Sequence, residues 1–308
     1  MKERLQLFVD NVEKIRLYFG VDGERFVKKM ATQLTVRGIR FYYHDYEEVQ
    51  KHIKANTKWY GVARSSVKIA HAYYVQFAKE PEQVKQAIAQ QAFVKTKGFA
   101  SSEDAYLAAM YVKDSEQAQK MELLTKELIK QPSLKFSSLS LLLRAMLATR
   151  PESPEELATT YEQYYQRLIS LGWKRDGTSK NAAFLLTIGT GAWDETIWAK
   201  VEELAALIQA ASTKLEPRHY SVVCLLALAK FETPAFPALT EIHDQVCQVL
   251  KAKPKYDNTL LIATQIYTAS EAFSDLPTYD FDFADIVMQA IDGDSGGDAG
   301  GDGGSGGD

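Results

Sequence analysis

Three residues in the last third of the chain have the types and spacing of metal ligands: Cys224, His243 and Cys247. His243 and Cys247 are four residues apart and stand one above the other on a helix. An antiparallel partner starting near His219 would bring Cys224 alongside them. Against this, Cys224 sits inside VVCLLALA, where cysteine behaves as a small buried hydrophobe, and there is no close-spaced cysteine pair. The sequence therefore predicts no metal and no cofactor. His71 interrupts the apolar run KIAHAYYVQF and Arg144 interrupts LSLLLRAMLAT. Each must find a hydrogen-bonding partner or face a wet cavity, because a lone polar group in an apolar layer is costly. With Asn181 they are candidate binding residues.

A second group lies on loops: Arg175 and Asp176 after Trp173, Glu216, Arg218 and His219 after Leu215, and Asp257 after Tyr256. A carboxylate and a histidine on successive loops have the types for acid–base work. Helix capping and surface ion pairs use the same types. Arg175, Asp176, His219 and Asp257 are thus binding candidates, and no catalytic set is assigned. Neither G-x-S-x-G nor the phosphate-cradling G-x-x-x-x-G-K-[ST] occurs in the chain.

The elements that must position these residues recur. KGFASSEDAYLAAMYVKD aligns on Phe99 with segments anchored on Trp59, Phe136, Trp173, Leu215 and Tyr256, and with a weaker copy beginning at Val21. The anchors lie 37 to 42 residues apart, the length of a helix pair. About seven αα-hairpins of roughly 40 residues are expected. Before each anchor comes a charged amphipathic helix, as in SPEELATTYEQYYQRLISLG, with apolar residues returning every three or four positions: an outer helix with one wet face. Ser153, Pro154 and Glu156 form a capping box, and Asp45 with Glu48 reads as an acidic version. After each anchor comes a helix apolar on nearly all sides, which must be covered all round. Ala105, Ala108, Ala109, Ala145, Ala148, Ala182 and Ala183 would let these inner helices approach closely. The anchor aromatic is expected to plug the elbow between layers, with Ser101, Ser102, Ser137, Thr178 or Asp257 capping the inner helix. The fold class that follows is all-α: a closed or nearly closed α/α toroid, or a curved solenoid.

The GFASSEDAYLAAMYV pattern, the opening ERLQLFVDNVEKI and the glycine-rich end resemble a family of uncharacterised bacterial proteins catalogued as domain of unknown function four-thousand-and-three. The resemblance spans nearly the whole chain and rests on structural motifs, so it implies a fold and no activity. More weakly, the GF elbow followed by an alanine-rich helix is similar to repeats of the terpene cyclase and protein prenyltransferase toroids, which implies inner helices around a central cavity. The chain departs from those families in having no aspartate-rich diphosphate motif and no convincing Asp, Cys and His zinc set.

Charge narrows the partners. With 36 basic and 40 acidic residues interspersed and a net −4, the chain shows no basic stripe of the kind that neutralises phosphates, and nucleic acid is not expected. Apolar runs of about ten residues fall short of the roughly twenty that span a bilayer, so no membrane partner is expected. Two cysteines suit a reducing compartment, and the start lacks the apolar core of a signal peptide; a cytoplasmic location is expected. Residues 292–308, DGDSGGDAGGDGGSGGD, hold nothing apolar to bury and read as a disordered acidic tail behind a helical domain at 1–291. Two functions fit these elements. One is a non-enzymatic repeat protein binding a protein, peptide or small-molecule ligand, with paired tyrosines among its candidate contacts. The other is a toroid enzyme with a cavity lined by the inner helices.

Overall fold

The computed structural model describes residues 1–20, 24–96, 102–134, 140–212, 215–252 and 259–270. The chain is all-α, with fifteen α-helices and no strand among the described residues. α1 (Lys2–Phe19) packs on α2 (Glu24–Val36). α3 (Tyr43–Asn56) is followed by the single-turn α4 (Val62–Ser65) and packs on α5 (Val67–Phe77). The same pairing joins α6 (Gln83–Thr96) to α7 (Glu103–Ala108), α8 (Ser115–Lys130) to α9 (Leu141–Ala148) and α10 (Pro154–Ser170) to α11 (Gly177–Thr190). It continues with α12 (Glu195–Ser212) on α13 (Tyr220–Leu228) and α14 (Phe236–Leu250) on α15 (Thr259–Ser270). No helix among the described residues is long and apolar enough to cross a membrane.

The first helix of each pair buries one stripe and the second is covered on most sides. On α8 the buried residues are Ala118, Met121, Leu124 and Leu128, a three- and four-residue return that leaves the charged face in water. On α13 every residue from Tyr220 to Leu228 is buried. All seven alanines expected at close helix contacts are buried. Gly189 serves the same end: a Cβ there would come within 2.5 Å of Leu228 Cδ2, so the bare backbone is what lets α11 lie against α13.

The second helices contact one another in order, α2 on α5, then α7, α9, α11, α13 and α15, and α15 packs back on α2. α1 also contacts α14, and Arg16 donates to the Val249 carbonyl at 3.1 Å. The first and last helix pairs are therefore neighbours.

Some of the expected caps and anchors form and others do not. Ser153 and Glu156 form the expected reciprocal capping box, and Ser102 accepts from Ala105 N–H at 3.3 Å. Asp45 does not cap: α3 begins at Tyr43, which places Asp45 inside the first turn, where its charge only complements the helix dipole. Asp176, rather than Thr178, caps α11. Trp173 plugs its elbow, buried and stacked on Tyr220 with ring centroids 4.0 Å apart. Trp59 does not, being 82% exposed. A turn closed by Gly61 N–H on the Lys58 carbonyl (2.8 Å) swings Trp59 and Tyr60 outward, and the buried Ala63 of α4 lies at this elbow instead. The anchors Val21, Phe99, Phe136 and Tyr256, the caps Ser101, Ser137 and Asp257, and the tail expected to be disordered at 292–308 lie outside the described residues.

Candidate functional site

Three side chains close the end of α3: Asn56 donates to the His52 carbonyl at 2.8 Å, Thr57 to that of Ile53 at 2.7 Å, and Arg64 to that of Lys54 at 2.7 Å. These satisfy carbonyls that the helix end leaves free. Ser66 then caps α5 by accepting from Ile69 N–H at 3.1 Å. Between the two helix ends lies a small, shallow depression of about 50 Å³, lined by Gln50, Lys54, Arg64, Ser65, Ser66 and Val67 among others.

Beside it four large apolar side chains meet solvent: Trp59, Tyr60 at 66%, Val67 at 55% and Val62. Trp59 and Tyr60 are edge to face at 5.5 Å, and the Lys58 ammonium stands 5.7 Å from the Tyr60 ring centre. Aromatics that could bury about 150–250 Å² each are thus held ready at an elbow built by capping bonds. The sequence showed the aromatics but assigned Trp59 to packing.

The six predicted binding residues that lie among the described residues do not converge on one site. Arg144 is half-buried on α9 and reaches outward, donating to Thr125 Oγ1 of α8 at 3.2 Å and to the Ser140 carbonyl at 3.4 Å; burial lowers its pKa. Asn181 is half-buried on α11. Arg175 is exposed. Asp176 accepts from the N–H groups of Thr178 and Ser179 at 2.9 and 3.3 Å. His219 Nδ1 accepts from Glu216 N–H at 3.2 Å, and Glu216 pairs with Arg218 at 2.8 Å. The elbow of Asp176 and that of His219 do meet, through the Trp173–Tyr220 stack and a 3.0 Å bond from Lys174 N–H to the Tyr220 hydroxyl. Their polar groups serve the helix ends there. Asp257 lies outside the described residues.

His71 is buried on α5, with Phe26 edge-on to its ring at 4.6 Å and no hydrogen-bond partner at Nε2. Burial, and then the nearby Lys29 charge, hold its pKa well below 6.5. A neutral folded histidine of this kind contributes stability that is complete above the unfolded pKa and lost as pH falls from there toward the depressed folded value. Burial also lowers the pKa of His219 and His243, so they add to the same trend. Unfolding by urea between about pH 7.5 and about 5.5 should show stability falling with acid, by up to about 1.4 kcal/mol per pH unit for each histidine that must stay neutral. His71→Gln should flatten that slope, and an unchanged slope would contradict the assignment.

His243 Nε2 lies 2.9 Å from Thr259 Oγ1 and 3.5 Å from Cys247 Sγ, one turn away as the spacing implied. Cys224 is fully buried on α13, and burial pushes its thiol up. No group of three or more potential metal-ligating side chains lies together among the described residues.

A family model described as protein of unknown function (DUF4003) matches residues 11–288. No curated protein and no solved structure matches.

Proposed function

Because the chain belongs to the DUF4003 family of proteins of unknown function, its role must be argued from its own surface, and we propose a non-enzymatic binding protein built as a closed ring of seven αα-hairpins. What supports the ring is the succession of packed second helices that returns from α15 to α2. In such a ring the inner face is filled, as on α13, and the concave surface that an open solenoid would offer to a partner is used up in packing. Binding then falls to the elbow end. A cytoplasmic location belongs to the same proposal, in keeping with two free cysteines.

The observation that carries the binding reading is the exposure of Trp59 and Tyr60 at an elbow whose counterpart, Trp173, is buried. Leaving large apolar surface in water forfeits about 25 cal/mol per Å², a loss a partner would recover. The enzymatic alternative has less support, since Asp176 and His219 already serve their helix ends. A thermal-shift screen of metabolites, peptides and lipids tests the proposal. A ligand at a hundred times its Kd should stabilise the chain by about 2.7 kcal/mol, and Trp59→Ala should abolish that shift. Hits that survive Trp59→Ala, or that the protein turns over, would overturn it.

A further inference from the structure

Residues 51–68 carry Lys51, Lys54, Lys58, Arg64 and Lys68 and not one aspartate or glutamate, in a chain whose overall charge is −4. This window is the elbow of Trp59. Two of its cations are committed to carboxylates, Lys51 to Glu48 at 3.3 Å and Lys68 to Asp104 at 3.0 Å. Lys54 and Lys58 are exposed, and Arg64 uses one guanidinium nitrogen on the Lys54 carbonyl. Lys54 and Arg64 line the depression with Ser65, Ser66 and Val67, while Lys58 stands by the exposed Tyr60 ring, next to Trp59 in the chain.

We propose that this elbow binds an acidic polypeptide segment of another protein, one that carries apolar side chains among its carboxylates. The inference rests on the binding-protein reading above and names the partner's chemistry. Charge complementarity fixes the sign: a local surplus of cations on an acidic chain attracts acidic segments, and the chain's own net charge disfavours nonspecific contact with other acidic surfaces. The aromatics fix the rest. Trp, Tyr and Arg are the residues that anchor protein interfaces, and Trp59 and Tyr60 offer faces for aliphatic or aromatic side chains that a purely acidic tract would leave in water. A short peptide needs only this patch, whereas an anionic bilayer would face far more of a chain whose net charge is −4.

Fluorescence anisotropy of a labelled peptide of glutamates and aspartates interrupted by leucine and phenylalanine tests the proposal with the full chain. It should bind, weaken as salt is raised, and lose at least about tenfold in affinity on Trp59→Ala and again on Lys54→Glu with Lys58→Glu. All these positions are exposed, so the variants should keep the parent's circular dichroism and melting temperature. A lysine–leucine peptide of the same length should not bind. Sedimentation with phosphatidylserine vesicles is the other arm. Vesicle binding that depends on Trp59 without peptide binding would overturn the proposal, as would peptide binding indifferent to the three substitutions. Failure of the peptide while another ligand from the screen still needs Trp59 would remove the acidic partner and leave the binding protein standing. Failure of both would remove both.

Discussion

Gly191→Ala should lower the unfolding free energy by about 3 kcal/mol or more, read from urea denaturation. Gly191 ends α11 at φ +74°, where its N–H donates to the Thr187 carbonyl at 2.8 Å. An alanine there meets two obstacles. The backbone conformation strains an L-residue, at a cost on the order of 1 kcal/mol. The new Cβ would also fall onto Arg150 Nη2 and Glu152 Oε1. Those groups form a two-pronged pair, at 2.6 and 3.0 Å, and Arg150 is only 3% exposed, so displacing the carboxylate strips a buried guanidinium of a counter-ion. Gly172→Ala is the matched control. It has φ +84° but nothing within 4 Å of a Cβ, so only the strain remains, about 1 kcal/mol. Equal losses in the two variants would show that the Arg150–Glu152 pair does not fill the space beside Gly191.

Trp173→Ala should cost about 3–5 kcal/mol, the range for truncating a buried aromatic. Its ring lies nearly parallel to that of Tyr220, at 14°, and the Tyr220 hydroxyl accepts from Lys174 N–H, so one elbow locks onto the next inner helix. Trp59→Ala, the same change at the aligned position, should stay within about 0.5 kcal/mol. Comparable losses at both positions would mean that Trp59 packs as its sequence pattern suggested, and would leave the binding elbow without its anchor.

The alternation of amphipathic and apolar helices was legible in the sequence because it is local. The stripe of Ala118, Met121, Leu124 and Leu128 and the uninterrupted burial of α13 follow from residue type and a period of 3.6. The Ser153 box was legible for the same reason. Trp59 was misread because spacing aligned it with Trp173, while one tight turn ending at Gly61 reverses which way the side chain points. That Arg144 needs a hydrogen-bonding partner or a wet cavity was legible from its apolar neighbours, but which partner was not: its long side chain snorkels outward to Thr125 on the outer helix. The cationic window 51–68 was there to be counted, but a net charge taken over the whole chain averages it away. Contacts such as that of Arg16 with Val249 leave no local trace at all.

The proposed closed ring rests on such contacts: closure would fill the inner face and leave the elbows for binding. Cysteines placed by Arg16→Cys and Val249→Cys, with Cys247→Ser and the fully buried Cys224 left in place, test it with a short bismaleimide at dilute protein. A closed ring should give efficient cross-linking within one chain and a faster-migrating band on a denaturing gel. In an open array of seven pairs at roughly 9–10 Å per step the two sites would stand about 60 Å apart, beyond the linker. A folded double-cysteine chain that gives no intramolecular product would contradict the closed ring.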